Sequence, residues 1–566
     1  MKRGKKILTA LFSGLLVLSI GITSVAGALS NKGHWVASWG SGMTDISVTL
    51  LEGKENWDGI TISPFAKNMS ARVRLTPTLG GDKVQFRLSN ENGRKPLVIS
   101  DVSIARAAGE SGSTIVEGTS IPVTFGGERQ VTIPAGEIIA CDPIDMEVTA
   151  FEDLCVSYYI ENFNEVQTMG LCGATTYLTI GNHVADTHFL GLGLSFGSLV
   201  SVVPLLSDLY VYADSDAYSV VVIGDSTTSN DIPELLARRI ADETGENKVG
   251  VVQKSIIGNS MLTDGVGTIG NIYGESLISR YQEDALDQPG VRYTLVKIGL
   301  NDLLHPRCKS MAGLIPIPTV DELVEGYREL IRMSHEADVK IVMAEMSPWK
   351  GYTRDFLNTG DPDLEWSQEA QDDCDALTQW IRTTDELDGS INLDCLKDPN
   401  DPTKMPDGWT EDGAHLLTPA QEAFVNAIDL SLFGIGGTEE DSSSSESESA
   451  SETESESTST EETTESTTAE ETTESTTEST TAEETTESTT APETESTTGE
   501  EESTSDEPVA PVVTTTEDRS DTTTRPITGN GFGGISNVDT GDSLVIAGMT
   551  LAMISAVGIL ITVKKK

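Results

Sequence analysis

Between about Gly437 and Arg525 the chain is built almost wholly of Ser, Thr and Glu, and this tract limits what everything around it can fold into. Glu461-Glu462-Thr463-Thr464-Glu465-Ser466-Thr467-Thr468-Ala469 recurs at Glu483 to Ala491. A segment with so few apolar side chains cannot bury enough surface to offset the entropy of ordering its backbone, so residues 437–525 are expected to form a disordered, self-repelling stalk. About half of the formal net charge of −53 lies there. The acidity therefore describes a spacer, says little about a substrate, and argues against nucleic-acid binding. The density of Ser and Thr is also compatible with glycosylation.

The two ends read as address labels. Lys2, Arg3, Lys5 and Lys6 precede an apolar run from Ile7 to about Ile22, and Ala26-Gly27-Ala28 supplies a small-residue cleavage pattern. Residues 1–28 are expected to be a signal peptide, leaving a mature protein that begins near Leu29. At the other end Leu544 to Val563 is apolar or small and Lys564, Lys565 and Lys566 follow. A run of about 20 such residues is long enough for a transmembrane helix with the lysines on the cytoplasmic side. Just before it, Asn537-Val538-Asp539-Thr540-Gly541 resembles the signals that sortases cut between Thr and Gly, with Val538 in place of the usual proline. Residues 537–566 are thus expected to be a cell-wall sorting signal or a membrane anchor. The partners this implies are sortase and cell-wall peptidoglycan, and the location is extracellular, attached to wall or membrane.

The six cysteines fall as Cys141, Cys155 and Cys172 in the first half of the folded stretch and Cys308, Cys374 and Cys395 in the second. No C-x-x-C pair is present, and neither zinc-type spacing nor a cluster of His with carboxylates suggests a metal. Buried free thiols are expected, with a Cys374–Cys395 disulfide as the alternative that export permits.

From about 33 to 214 short alternating runs are separated by Gly and Pro: Val84 to Leu88, Val98 to Ala105, Val123-Thr124-Phe125, Val131-Thr132-Ile133 and Leu154 to Ile160. Period two with turn residues between runs predicts a β-sandwich-like domain. Trp35 and Trp39 are expected in its core, the alternative being a sugar platform. From 217 to 433 the rhythm becomes strand, turn, helix. Tyr218 to Ile223, Val249 to Val252, Thr294 to Ile298 and Ile341 to Ala344 are candidate buried strands. Pro233 marks a helix start, Thr319 and Glu322 spell a capping box, and Thr418, Pro419 and Gln421 are expected to open a last helix in the same way. Alternating β and α elements predict a three-layer α/β domain, with a parallel sheet covered on both faces and a ligand site beyond the carboxyl ends of its strands.

Gly224-Asp225-Ser226 stands where the first of these strands ends, a place that exposes a hydroxyl and turns backbone N–H groups toward an oxyanion. The tripeptide alone is a weak signal, because Gly541-Asp542-Ser543 repeats it where no scaffold follows. What strengthens it is order. Ile257-Gly258-Asn259-Ser260 follows the second strand, Gly299-Leu300-Asn301-Asp302 the third, and Asp412-Gly413-Ala414-His415 precedes the last helix.

These four blocks, in this order, resemble the SGNH/GDSL hydrolases, whose catalytic domain is a flavodoxin-like α/β fold. Upstream, Trp35-Val36-Ala37-Ser38-Trp39, Arg87-Leu88-Ser89-Asn90 and the stretch from Phe125-Gly126-Gly127 to Pro134 resemble the β-rich domain of one secreted branch of that family, and so does Asp398-Pro399-Asn400-Asp401-Pro402. The resemblance implies Ser226 as nucleophile, His415 as the base that takes its proton, and Asp412 as the group that orients His415. It further implies an oxyanion hole made by the Ser226 N–H, the Gly258 N–H and the Asn301 side-chain amide. Gln253, Ser255 and Asn230 depart from that branch's usual residues and leave the local loop shape open.

Asp302 and His305 form a second D-x-x-H, but Asp302 belongs to the Asn301 block and no final helix follows. His305 can still line the site; His183, His188 and His335 are scattered and read as structural or surface residues. The implied activity is carboxylic ester hydrolysis through an acyl-serine, without a cofactor. Display on a stalk suggests deacetylation of polysaccharide such as xylan. The alternatives are a secreted acylhydrolase acting on lipid esters and a non-catalytic glycan-binding surface protein; the Leu190 to Leu199 stretch would be the lid of the former, but it is expected to be a hydrophobic core strand.

Overall fold

The alternating runs of the first half become antiparallel strands whose inward residues meet in one apolar core. In the computed structural model the described residues are 33–50, 57–171, 173–189, 192–196, 200–229, 231–266, 270–354, 361–436 and 559–565. The chain divides into two units, Met1–Glu439 with Asn537–Lys566, and Glu440–Ser536; the second, which holds most of the stalk, lies outside the described residues, as does the expected signal peptide.

The strands used below are β1 (His34–Gly40), β2 (Trp57–Ala66), β3 (Met69–Leu75), β4 (Val84–Ser89), β5 (Asp101–Arg106), β6 (Leu154–Ile160), β7 (Ala174–Ile180) and β8 (Leu206–Ala213). One four-stranded sheet runs β1-β8-β4-Ile138–Ala140, and a seven-stranded sheet has β7, β3, β6 and β5 as its centre. Val84, Phe86 and Leu88 of the first sheet and Val73, Ile104 and Val156 of the second share one buried cluster. Trp39 is buried in the same cluster and donates Nε1 to the Gly173 carbonyl at 2.6 Å, so it is a core residue and no sugar platform. The expected run Val98 to Ala105 divides at Ser100 because its halves take different partners, Leu97–Ile99 pairing with Val131–Ile133 and β5 with β6. Val123 to Phe125 forms no strand. It leads into a turn at Gly126 and Gly127 whose N–H groups, with the Thr124 hydroxyl, are taken by the Asp142 carboxylate.

Five strands then form a wholly parallel sheet: β9 (Tyr218–Gly224), β10 (Val249–Gln253), β11 (Val291–Lys297), β12 (Lys340–Ala344) and β13 (Gly389–Ile391), in the order β10-β9-β11-β12-β13. Every residue of β9 and β10 is buried, as a sheet covered on both faces requires. Alternate residues face opposite cores. Val221, Ile223, Val296, Ile341 and Met343 pack against α2 (Leu277–Tyr281), α4 (Val320–Glu336) and α5 (Gln368–Thr383). Val220, Val222, Leu295 and Val342 pack against α1 (Ile232–Thr244) and α6 (Thr418–Ala427). In this order the chain reverses direction across the sheet between β9 and β11, and the crevice at such a switch point is where doubly wound sheets bind ligands.

The capping box expected at Thr319 is present, its hydroxyl accepting from Glu322 N–H and Glu322 accepting from Thr319 N–H. The one expected at Thr418 is not. Leu417 is the N-cap there, and Gln421 donates its side-chain amide back to the Leu416 carbonyl at 2.9 Å. Cys141, Cys155, Cys308, Cys374 and Cys395 are free thiols, so Cys374 and Cys395 form no disulfide: the first is buried on α5, the second exposed.

Leu192–Phe196, inside the stretch considered as a lid, is a strand paired with β7. Among the described residues no helix is long and apolar enough to cross a membrane. Most of Leu544 to Val563 is outside the described residues, but Ile559–Lys565 is a strand (β14) antiparallel to β2, in place of the helix expected there. Ile559, Ile561, Thr562 and Val563 are β-branched, and such residues favour pairing with an open sheet edge.

Candidate active site

The turn that carries Ser226 is built by its neighbours. At Gly224 a Cβ would sit 2.0 Å from the Lys297 carbonyl oxygen, so only glycine lets β9 end this close to β11. The Asp225 carboxylate accepts from the Thr227 N–H at 2.9 Å and the Thr227 hydroxyl at 2.6 Å, which closes the turn around Ser226. Beneath it the Lys297 ammonium, fully buried, donates to the same Thr227 hydroxyl. Burial lowers the Lys297 pKa, and the Asp225 charge opposes that shift. The following helix opens only at Ile232, so this turn, and not a helix N-terminus, carries the Ser226 N–H.

Ser226, Asp412 and His415 converge. His415 Nε2 lies 2.9 Å from Ser226 Oγ, and His415 Nδ1 lies 2.5 Å from Asp412 Oδ2. The other Asp412 oxygen accepts from the N–H groups of Ala414 and His415 at 3.0 and 2.9 Å. Burial pushes the Asp412 carboxyl up, but the His415 side chain and those N–H groups outweigh it and hold the carboxyl well below the usual carboxylate range. The Tyr352 ring stands edge-on to the imidazole at 6.0 Å.

The three implied oxyanion donors belong to neighbouring loops. Gly258 has φ +68°, and a Cβ there would lie 2.1 Å from the Tyr273 ring, so glycine is required on both counts. Asn301, in the short helix α3 (Leu300–Leu304), donates one side-chain N–H to the Asn259 carbonyl at 3.0 Å, and among the described residues no acceptor takes its second. Among the described residues no backbone acceptor takes the Ser226 or Gly258 N–H. A hydroxyl on an imidazole, the imidazole on a carboxylate and a set of N–H groups without an acceptor among the described residues are what nucleophilic attack on a carbonyl requires.

The second D-x-x-H comes apart. Asp302 is buried and accepts from the N–H groups of Met261 and Leu262 at 2.7 and 2.9 Å, fixing the segment after Gly258; burial raises it to about 6 against those bonds. His305 lies against the Tyr273 ring at 4.9 Å and is pushed down to about 3 by burial and the Arg354 charge. His183 pairs with Asp186, His188 with Thr114 and His335 with Asp388, all away from Ser226's partners. Of the departures noted above, Gln253 donates to the Ser255 carbonyl and Ser255 bonds Thr228, so both brace the loop beside Ser226; Asn230 is outside the described residues.

Sequence reasoning passed over Lys297 and Arg280. Arg280, in α2, donates to the Gly224 carbonyl at 3.2 Å and to Asn259 Oδ1 at 2.8 Å. The only visible signal was an arginine set between the buried apolar residues Leu277 and Tyr281, with Asp284 four residues on.

No protein-family model and no curated protein matches the chain. Solved structures with a similar arrangement include an acetylxylan esterase from Geobacillus stearothermophilus, 14% identical over 38% of this chain and 94% of that one, with a TM-score of 0.29. A GDSL-like lipase from Bacteroides thetaiotaomicron is 13% identical over 38% and 88%, with a TM-score of 0.27. An α/β hydrolase from the metagenome of Lake Arreo, Spain, is 15% identical over 39% and 98%, with a TM-score of 0.28. Likenesses of this size assign no family, and the function has to be argued from the site itself.

Proposed function

We propose that the chain is an extracellular serine esterase that cleaves carboxylic esters through an acyl-Ser226 intermediate. The observation that carries this reading is the 2.9 Å contact between Ser226 Oγ and His415 Nε2, with Asp412 on the far imidazole nitrogen. Ser226 Oγ bonds to the ester carbonyl carbon as its proton passes to His415 Nε2. The carbonyl oxygen becomes an oxyanion facing the N–H groups of Ser226, Gly258 and Asn301. Collapse of that adduct expels the alkoxide, which takes the proton from His415. Water then repeats the sequence on the acyl-serine, its proton going to His415 and on to Ser226 as the acid leaves. Asp412, held ionised, stabilises the imidazolium in both halves.

The substrate we favour is a short acyl ester on extracellular polysaccharide, such as acetylated xylan. Its support is the context: a signal peptide, a long stalk and a sorting signal cut between Thr540 and Gly541 would present the enzyme at the wall. Leu192–Phe196, in the stretch weighed as a lipase-type lid, pairs as a strand with β7, as expected for a core strand, and this favours the polysaccharide reading over the lipid one. The test compares wild type with Ser226→Ala on p-nitrophenyl esters of increasing chain length and on acetylated xylan. Equal rates for the two proteins would sink the nucleophile. Preference for long chains with no acetate released from xylan would move the substrate to lipids. For the anchor, wall digests should contain a peptide ending at Thr540; an intact tail in the membrane fraction would overturn that part.

A further inference from the structure

Arg280 is 8% exposed and spends all of its donors. Nε and Nη2 reach Asn259 Oδ1 at 3.1 and 2.8 Å, and Nη2 also reaches the Gly224 carbonyl at 3.2 Å. Nη1 reaches the Lys254 carbonyl and Asp284 Oδ2 at 2.7 and 2.8 Å. One planar cation thus joins the residue two before Ser226 to the residue after Gly258, which itself accepts from Asn301. All three implied oxyanion donors hang from groups tied together here.

The cation is held in turn from the β-rich region. Asp284 lies 3.6 Å from the Lys254 ammonium, which is 1% exposed and 2.8 Å from Asp208 on β8. Asp208, wholly buried, pairs also with Arg87 of β4 at 2.8 Å. Burial works against the Asp208 charge, but Lys254 and Arg87 keep it ionised, its pKa lowered. The same junction continues in other groups: the Thr78 hydroxyl donates to the Ser38 carbonyl of β1 and accepts from the Val251 N–H of β10, and the Lys254 ammonium also donates to the Ser207 carbonyl. A buried ion network adds little net stability over apolar packing, so its use is more readily understood as fixing geometry.

From this geometry we infer that Arg280 is the positioning residue of the oxyanion hole, and that the β-rich region, through Asp208 and Lys254, is part of the catalytic scaffold. The inference rests on the esterase reading. Its test uses the full chain, with reactive serines counted by a p-nitrophenyl phosphonate that phosphonylates the nucleophile and releases p-nitrophenolate. Arg280→Met should lower kcat per counted serine by roughly 30- to 100-fold while KM for p-nitrophenyl acetate moves less than about 3-fold. Arg280→Lys, which keeps the charge but has three donors instead of five, should recover part of that loss. Asp208→Asn should act in the same direction by roughly 3- to 10-fold, without touching any residue of the site. A purely structural role would reduce the number of counted serines and leave kcat per serine unchanged. Unchanged kcat per serine in Arg280→Met overturns the inference, as does the same result in Arg280→Lys should the first variant fail to fold. Wild type that is neither active nor phosphonylated at Ser226 sinks the esterase reading and this inference with it; active wild type with unaffected variants sinks only the inference.

Discussion

Both folded regions bury arginines, and they use them differently. In the β-rich region Arg72 of β3 is fully buried and donates to the Ser157 hydroxyl and to the carbonyls of Ser113 and Asp186, with its guanidinium 4.0 Å above the Phe189 ring. Its neighbour Arg74 pairs with Asp153 and reaches the Gly109 carbonyl. These cations staple two loops onto the seven-stranded sheet. Arg280 makes the same kinds of bond to Gly224, Lys254 and Asn259, yet what it staples are the loops that carry Ser226 and Gly258. The chemistry of the clamp is equal in the two places. What differs is whether the clamped backbone moves charge in a reaction, and that decides whether loss of the clamp is felt in stability or in rate.

The largest effect expected is at the nucleophile. Ser226→Ala removes the attacking atom, and ester hydrolysis should fall to background, a loss on the order of 10⁶-fold in kcat, measured with p-nitrophenyl acetate. The thermal midpoint should not fall, because Ser226 Oγ has His415 as its one hydrogen-bond partner among the described residues. Next comes Asn301→Ala, which deletes one oxyanion donor and should cost about 10²- to 10³-fold in kcat with KM nearly unchanged. A KM increase with constant kcat would assign Asn301 to ground-state binding and break the contrast between rate and stability in this region.

How far the site could be read beforehand follows from what each residue does. Ser226, Gly258 and Asn301 follow strands and Asp412 and His415 precede the last helix, and their order carries over into space because a parallel sheet brings strand ends together. Arg280 was illegible because four of its five bonds go to two backbone carbonyls and one side chain 21 to 56 residues away, and no local pattern encodes them. Strand β13 escaped because Gly389-Ser390-Ile391 is three residues long and opens with glycine; its partner β12 makes it a strand. The apolar tail was read as a helix from its length, whereas its last residues, rich in Ile and Val, pair with β2. Run length bears on a bilayer span, and residue shape bears on sheet pairing, so the two signals pointed in different directions.

In the β-rich region the corresponding test is Arg72→Met. It leaves the Ser113 and Asp186 carbonyls without their donor and should destabilise the fold by about 3 kcal/mol, read as a lower urea midpoint. Its kcat per phosphonate-counted serine should equal that of wild type. A fall in kcat per serine would show that the staples of the two regions are coupled and would erase the distinction between them.

The smallest expected effect separates two histidines. His183 in the β-rich region is raised by its hydrogen bond to exposed Asp186, so its pairing favours the folded state at low pH and is lost as pH rises through its folded pKa. His305 behaves in the opposite way. Its folded pKa is pushed from 6.5 down to about 3 because it is buried against Tyr273 near the Arg354 cation. Between those values the unfolded chain binds a proton that the folded protein refuses, so the stability due to the neutral ring is present above the unfolded value and drains away as pH falls toward the folded one. From pH 7 to pH 5 the loss should be about 2 kcal/mol. Urea midpoints of wild type and His305→Phe at both pH values measure it: the ring on Tyr273 is kept, and the variant should lose less stability on acidification by that amount. Equal acid sensitivity in the two proteins would mean that His305 takes up its proton while folded, as the hydrogen-bonded His183 does, and the contrast between the two histidines would be lost.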